Sequence, residues 1–161
     1  MLKIRRYKPE DNKAVKELNF SGLEQMAPGV NWREPPFLRY SSDLDDIEGG
    51  YIDNRGDFLV GIHGREIVTI AGIRKFSATC GEVMRVRVRR DCQRMGYGEK
   101  MMLKLMEIAK QSGYKELILD TLTSNLPARQ LFEKLGFSEV NRGMRGPFSV
   151  IYYGKKLDNG G

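Results

Sequence analysis

Residues 82–119 constrain the fold more than any other part of the chain. Residues 83–89 alternate apolar and basic side chains, the period of a strand with one covered face. A short polar loop leads to Gln93-Arg94-Met95-Gly96-Tyr97-Gly98, which opens a helical stretch over 96–111. Within it Met101, Met102, Leu105, Ile108 and Ala109 recur at spacings of three and four, so one stripe is apolar. Ser112-Gly113 supplies a left-handed stop, and Leu117-Ile118-Leu119 is a short buried strand. Strand, helix, strand in this order predicts a right-handed parallel crossover.

The flanking segments add strands that cannot all be parallel. Residues 58–62 and 66–75 surround the turn His63-Gly64-Arg65 and read as a hairpin. Residues 2–7 alternate like a first strand. Pro9-Glu10-Asp11 opens a helix over 9–24, where proline and acids suit the first turn. Its apolar stripe is Ala14, Val15 and Leu18. A Pro- and Gly-rich loop over 26–36 holds the only tryptophan, Trp32, and Ser41-Ser42-Asp43 caps a short helix reaching 48. After the crossover come a helix over 127–135 closed by Gly136, then strands at 137–140 and 148–153, with 158–161 frayed. The order β, α, α, β, β, β, α, β, α, β, β predicts an α/β (α+β) single domain over 1–161. Its mixed sheet has about seven strands flanked by about four helices.

Bulk properties narrow the partners. A chain of 161 residues, 40% hydrophobic and 30% charged, suits one globular domain. No run reaches the ~18 apolar residues of a membrane span, and residues 1–6 lack the apolar stretch of a signal peptide. The expectation is a cytoplasmic protein with no membrane partner. Cys80 and Cys92 show no disulfide or metal-ligand spacing, so no metal is expected and a reducing compartment suits them. The net charge of +6 fits an anionic partner (nucleic acid, acidic lipid or a polyphosphate cofactor) or simple solubility. No helix-turn-helix or RNP motif is present, so nucleic acid is not expected.

The loop at 93–98 has the chemistry of an anion site. Glycines admit a close backbone approach, and the first N–H groups of a helix have no partner within it. Together with the helix dipole they can hold a diphosphate, and Arg89, Arg90, Arg94 and Lys100 add positive charge. No Gly-Lys-Ser/Thr follows, so this is not a Walker loop, and the three-glycine dinucleotide fingerprint is incomplete. A tight turn with solvated arginines would share the same pattern.

Three matches in register resolve that ambiguity. Arg85-Val86-Arg87-Val88 precedes the loop, Gln93, Gly96 and Gly98 form it, and Asn125, Ala128 and 131–137 (LFEKLGF) follow the next strand. This pattern resembles the GNAT superfamily of acyl-CoA N-acyltransferases. The resemblance implies a splayed mixed sheet and transfer of an acetyl group from acetyl-CoA to an amine by direct attack in a ternary complex. It implies that Gln93, Arg94, Met95, Gly96, Tyr97 and Gly98 cradle the CoA diphosphate. Val86 and Val88 would pair their main chain with the pantetheine arm, one N–H serving as oxyanion donor. Asn125 would touch the same arm, or cap the helix that Pro127 opens, or both.

The resemblance also sets expectations for catalysis. Glu82 is the implied general base, although an exposed strand-end carboxylate or a partner of a neighbouring arginine fits as well, and Glu66 or a chain of waters could replace it. Phe132 stands where many members carry a tyrosine that protonates the departing thiolate, so it would line the thiol end without donating. Ser124, Tyr97, Tyr152 and Tyr153 are the substitute donors to consider. The acceptor would be a small-molecule or protein amine, the protein a monomer or homodimer; a catalytically impaired acyl-CoA-binding module is the alternative. Specificity is expected from the loop at 26–36, through Trp32, Arg33 and Glu34. Arg85 and Arg87 share a strand face, to attract an acidic acceptor or, one structural and one solvated, to do neither. His63 is expected in a surface turn, and Cys92 as a small, partly buried residue.

Overall fold

A computed structural model of the chain describes residues 1–158. Seven strands form one sheet: β1 (Leu2–Arg6), β2 (Asp57–His63), β3 (Glu66–Lys75), β4 (Cys80–Val88), β5 (Glu116–Leu122), β6 (Ser138–Arg145) and β7 (Phe148–Lys156). Their order is β1-β2-β3-β4-β5-β7-β6, and only β4 and β5 run parallel. The helix α2 (Tyr97–Gln111) makes the predicted crossover between those two. Two more helices, α1 (Asn12–Met26) and α3 (Leu126–Lys134), flank the sheet.

Strand alternation sends neighbouring residues to two separate cores. Leu59, Ala71 and Ile73 pack with Met101, Met102 and Leu105 of α2 and with Phe132 of α3. Phe58, Val60 and Ile70 pack with Val15 and Leu18 of α1 and with Leu44, Ile47 and Tyr51. Leu59 and Val60 are adjacent on one strand, so α1 covers one face of the sheet and α2 with α3 cover the other.

Two local expectations change. The helix placed at 41–48 is a 3-10 helix over Phe37–Asp45 followed by a π turn over Glu48–Ile52. Its supposed caps are engaged elsewhere: Asn19 Nδ2 donates to Ser41 Oγ at 2.9 Å, and Asp43 accepts from Arg85 and Tyr51. The last hairpin is longer than its apolar residues suggest, because β6 is a mostly exposed edge strand with little hydrophobic alternation. Of the residues expected to fray, 159–161 lie outside the described residues.

The functional geometry begins where β4 leaves β5. The two are paired only at Cys80↔Glu116, Gly81↔Leu117 and Glu82↔Ile118. Beyond that, β5 continues along β7 as far as Leu122↔Val150, while β4 stays on β3 as far as Val88↔Thr69. A bulge bends β4 away: Met84 opposes Gly72 and Arg87 opposes Ile70, so Arg85 and Val86 both face Ala71. Arg85 takes a left-handed φ of 58°, unfavourable for a residue with a side chain. Its guanidinium holds it there, bonded to Asp43 through two nitrogens and to the Tyr40 carbonyl.

Burial acts to raise the Asp43 pKa, but the hydrogen bonds and charge of Arg85 outweigh it and hold the carboxyl below its ordinary value. A depressed folded-state pKa contributes stability above the unfolded value that is lost only as pH falls through the lowered one. Arg85→Ala would strand a buried carboxylate and cost about 3–5 kcal/mol at pH 7. A stranded carboxyl titrates higher, so the deficit in urea melts should shrink between pH 7 and pH 4, whereas a pH-independent deficit would show that the bulge does not rest on this pair. Away from the bulge, Leu105→Ala in the α2 core should lower unfolding free energy by about 2–5 kcal/mol in the same melts.

Candidate active site

The gap between β4 and β5 is a cleft through the sheet, lined differently on its two faces. Val83, Val86, Leu119, Ala128 and Phe132 line the side covered by α2 and α3. Met26, Trp32, Tyr40, Arg87, Asp120 and Phe148 are among the residues that line the side under α1.

On the first side, the backbone of β4 is presented to the gap. Arg89 N–H donates to Val68 O at 2.7 Å, so strand alternation turns the main-chain groups of Val86 and Val88 away from β3. Gln93 Nε2 reaches back to Val88 O at 3.0 Å and exchanges amide bonds with Gln25, tying the loop to the strand end and to α1. The loop then turns through positive φ at Arg94 (66°) and Gly96 (80°). Among the described residues, the N–H groups of Gly96, Tyr97, Gly98 and Glu99 have no acceptor, and the first satisfied amide of α2 is Lys100, bonded to Gly96 O at 3.1 Å. A Cβ on Gly96 would meet nothing within 4 Å, whereas one on Gly98 would stand 3.2 Å from Leu131. Gly96 therefore serves the turn and leaves the amides approachable; Gly98 lets α3 close onto α2.

Asn125 caps its helix as expected. Its Oδ1 caps α3 by accepting from Ala128 N–H at 3.4 Å, and its Nδ2 turns into the cleft toward Thr121 Oγ1 and Met26 Sδ. Phe132 is 4% exposed and packs against the rings of Phe137 and Tyr153 at the cleft wall.

None of the substitute donors reaches this wall. Tyr153 OH lies between Glu133 and Arg129, Tyr97 OH bonds to His63 Nδ1 at 2.8 Å, and Ser124 and Tyr152 do not line the cleft. The hydroxyls that do line it belong to Thr121 and Tyr40. Neither is apparent from the sequence, because nothing local distinguishes a strand-end threonine facing a gap from one facing solvent.

The side under α1 is aromatic and charged. Trp32 is 3% exposed and stacks on Phe148 at 4.9 Å, with Phe37 and Tyr40 edge-on to it. The loop at 26–36 thus walls the cleft through Trp32 alone of its three expected residues. Arg33 pairs with Glu17 and Glu24 on α1, and Glu34 is not at the cleft. Phe148 and Arg145 come from the final hairpin, more than a hundred residues away in sequence, and local reading gives them no signal.

The charged residues sort as follows. Arg85 is locked by Asp43, as described. Arg87 is not freely solvated as one of this pair was expected to be: it is partly buried with an enclosed Nε, and burial followed by the nearby Arg85 charge pushes its pKa down to about 9. Asp120 lies across the gap, its Oδ2 2.6 Å from Arg145 Nη2 but out of line for a hydrogen bond, so that oxygen has no donor. Glu82 sits where β4 and β5 still pair, ion-paired to Arg74 Nε at 3.0 Å and outside the cleft lining. Glu66 pairs with Arg89 at an exposed strand end. His63 ends β2 rather than forming the turn, and its bond to Tyr97 at the start of α2 is a further difference from expectation. Cys80 and Cys92 are buried thiols.

Comparison with known proteins agrees with this geometry. The family model for the acetyltransferase (GNAT) family matches residues 23–137. A Xenopus laevis relative named "Probable N-acetyltransferase camello" is 29% identical over 123 residues, covering 69% of this chain and 55% of its own length. The chain spans about half the length of the first curated relatives it matches. Among solved structures, a GNAT-family acetyltransferase from Staphylococcus aureus superposes with a TM-score of 0.85 at 18% identity, covering 98% of this chain and 100% of its own. The Salmonella typhimurium acetyltransferase yncA, solved with acetyl-CoA, gives a TM-score of 0.77 at 18% identity over 98% and 95% of the two chains. At that identity the superpositions establish the fold, and the family match extends from α1 through the glycine loop to the end of α3: this chain belongs to the GNAT acetyltransferase family.

Proposed function

We propose that the protein transfers an acetyl group from acetyl-CoA to an amine in a ternary complex. The observation that carries this reading is the set of unpartnered amides at the start of α2, in the loop that follows the end of β4. The donor set fits the group: N–H groups for a diphosphate, a glycine that leaves them approachable, and unpaired strand edge for an amide-containing arm. Gln93 through Gly98 would hold the diphosphate, Val86 and Val88 the arm, and Asn125 the arm from the other side. When bound, acetyl-CoA supplies a thioester carbonyl with a good leaving group. The Val86 N–H would meet the oxygen that gains charge as the amine attacks. Two free thiols in the core suit a reducing compartment, and we place the reaction in the cytoplasm.

The amine must lose a proton before it attacks, and two carboxylates on the α1 face could take it. Asp120 lines the cleft directly; Glu82 would act through water from beside Arg74. Turnover by Glu82→Gln and Asp120→Asn separates them. The variant of the true base should lose about 100-fold in kcat near neutral pH and recover toward high pH, where the free amine dominates. A loss that is uniform across pH excludes that residue from the role.

Cofactor binding has its own test. Gly96→Glu should abolish CoA binding by calorimetry, since it places a like charge among the amides. Gly96→Ala adds only left-handed strain, costing about 1 kcal/mol of stability, and should retain measurable affinity. Wild-type affinity in Gly96→Glu would place CoA elsewhere. Because Phe132 cannot donate a proton, a binding module without turnover is the second reading. Tight CoA binding with no CoA release across a broad amine panel would establish it.

A further inference from the structure

The cleft wall holds one partly buried positive charge that no carboxylate contacts among the described residues. Arg85 has Asp43; Arg87, two residues on and on the same face, has no carboxylate within 4.0 Å among the described residues. Its only hydrogen bond is a long one, Nη1 to Val86 O at 3.3 Å, and its buried Nε has none. An enclosed guanidinium without a counter-charge is costly, so a fold keeps one where something else supplies the charge. The arginine lies between the sheet and α1, with its Nε shut off from solvent and the rest of its head lining the cleft. Gly22 of α1 stands where a Cβ would come within 2.7 Å of Arg87 Cδ, so this helix has no side chain where the arginine crosses it.

The missing counter-charge is not the CoA diphosphate. The side chains of Val86 and Val88 pack in the clusters that include residues of α2, and Arg87, between them, projects to the opposite face against α1. On that face the cleft also offers Asp120, close enough to attract Arg87 yet turned to Arg145 with one oxygen undonated. Met26, Trp32 and Phe148 supply apolar wall. A cation and an anion on opposite sides of a partly apolar cleft match a zwitterion.

We propose that the acceptor is an amine carrying its own carboxylate a few bonds away, as a free amino acid does, with Arg87 binding the carboxylate and Asp120 receiving the ammonium. The proposal rests on the acetyl-transfer reading for its chemistry. The N–C bond forms as the C–S bond breaks. Of the two protons the ammonium loses, one passes through the carboxylate to solvent and the other ends on the CoA thiol. The product keeps its carboxylate and loses the charge that held it to Asp120, which favours release.

The test compares matched acceptors: apolar and aromatic L-amino acids, their amides, the corresponding decarboxylated amines, and short peptides with a free N-terminus, all followed by CoA release. Arg87→Gln and Arg87→Lys are the variants, with exposed Arg65→Gln as control. Amino acids should exceed their amides by about 100-fold in kcat/KM. Arg87→Gln should raise the amino-acid KM by about 10- to 100-fold, leave the acetyl-CoA KM and the weak amide rates unchanged, and melt no lower than wild type; Arg87→Lys should restore part of the difference. Equal turnover of acids and amides, preference for peptides, or a loss confined to acetyl-CoA binding overturns the proposal. If nothing turns over, the transfer reading fails by itself, and the anion site is still judged by calorimetry of N-acetyl amino acids in the presence of CoA. Binding that Arg87→Gln abolishes supports the site, and no binding to the wild type removes it.

Discussion

Everything functional in this chain follows from a hydrogen-bond ladder that stops. After Glu82 and Ile118 the parallel pair separates, and both strands remain anchored on their outer sides, β4 to β3 and β5 to β7. Main-chain donors and acceptors rarely go unpaired inside a protein. Here a row of them faces a gap, and the sheet is stable because its remaining ladders are long and both of its faces are covered. The gap is an open strand edge within a folded core, shaped to accept an extended partner.

The separation is enforced by charge. The β4 bulge puts Arg85 in a conformation that its side chain disfavours, and a buried pair with Asp43 compensates. Asp43 belongs to the 3-10 segment after α1 and also holds Tyr51 of the second core, so the bend in β4 is tied to the packing of the face under α1. The same bulge brings Arg85 and Arg87 onto that face together. One is consumed in fixing the backbone, and the other is left with its charge unspent beside the cleft. Two neighbouring residues of a single type thus differ in role, and only their partners tell them apart.

The two faces divide the chemistry. Toward α2 and α3 the cleft is lined by apolar side chains and offers its polarity through backbone N–H groups, which suits a long amide-rich donor whose identity does not vary. Toward α1 the polarity lies in side chains, Arg87, Asp120 and Arg145, set among aromatic rings drawn from distant parts of the chain. Side chains can change without altering the sheet, so on the proposed reading acceptor choice can vary while the donor site stays fixed.

The sequence by itself determined the crossover, the glycine turn, the N-capped α3 and the family. Each rests on residues close together in the chain, where periodicity, positive φ and unsatisfied helix ends are local properties. It also placed Val86 on the strand that walls the gap, with Val88 and Gln93 at that strand's end, because strand and loop positions are read from local pattern. What it could not decide was which charges meet. Glu82 had an arginine partner among its readings, but nothing local named Arg74; Arg85 and Arg87 looked alike; Asp120, Phe148 and Arg145 gave no signal. Electrostatic partners are set by distance in space, and Asp43 to Arg85 or Asp120 to Arg145 became neighbours only when the sheet brought separate segments together.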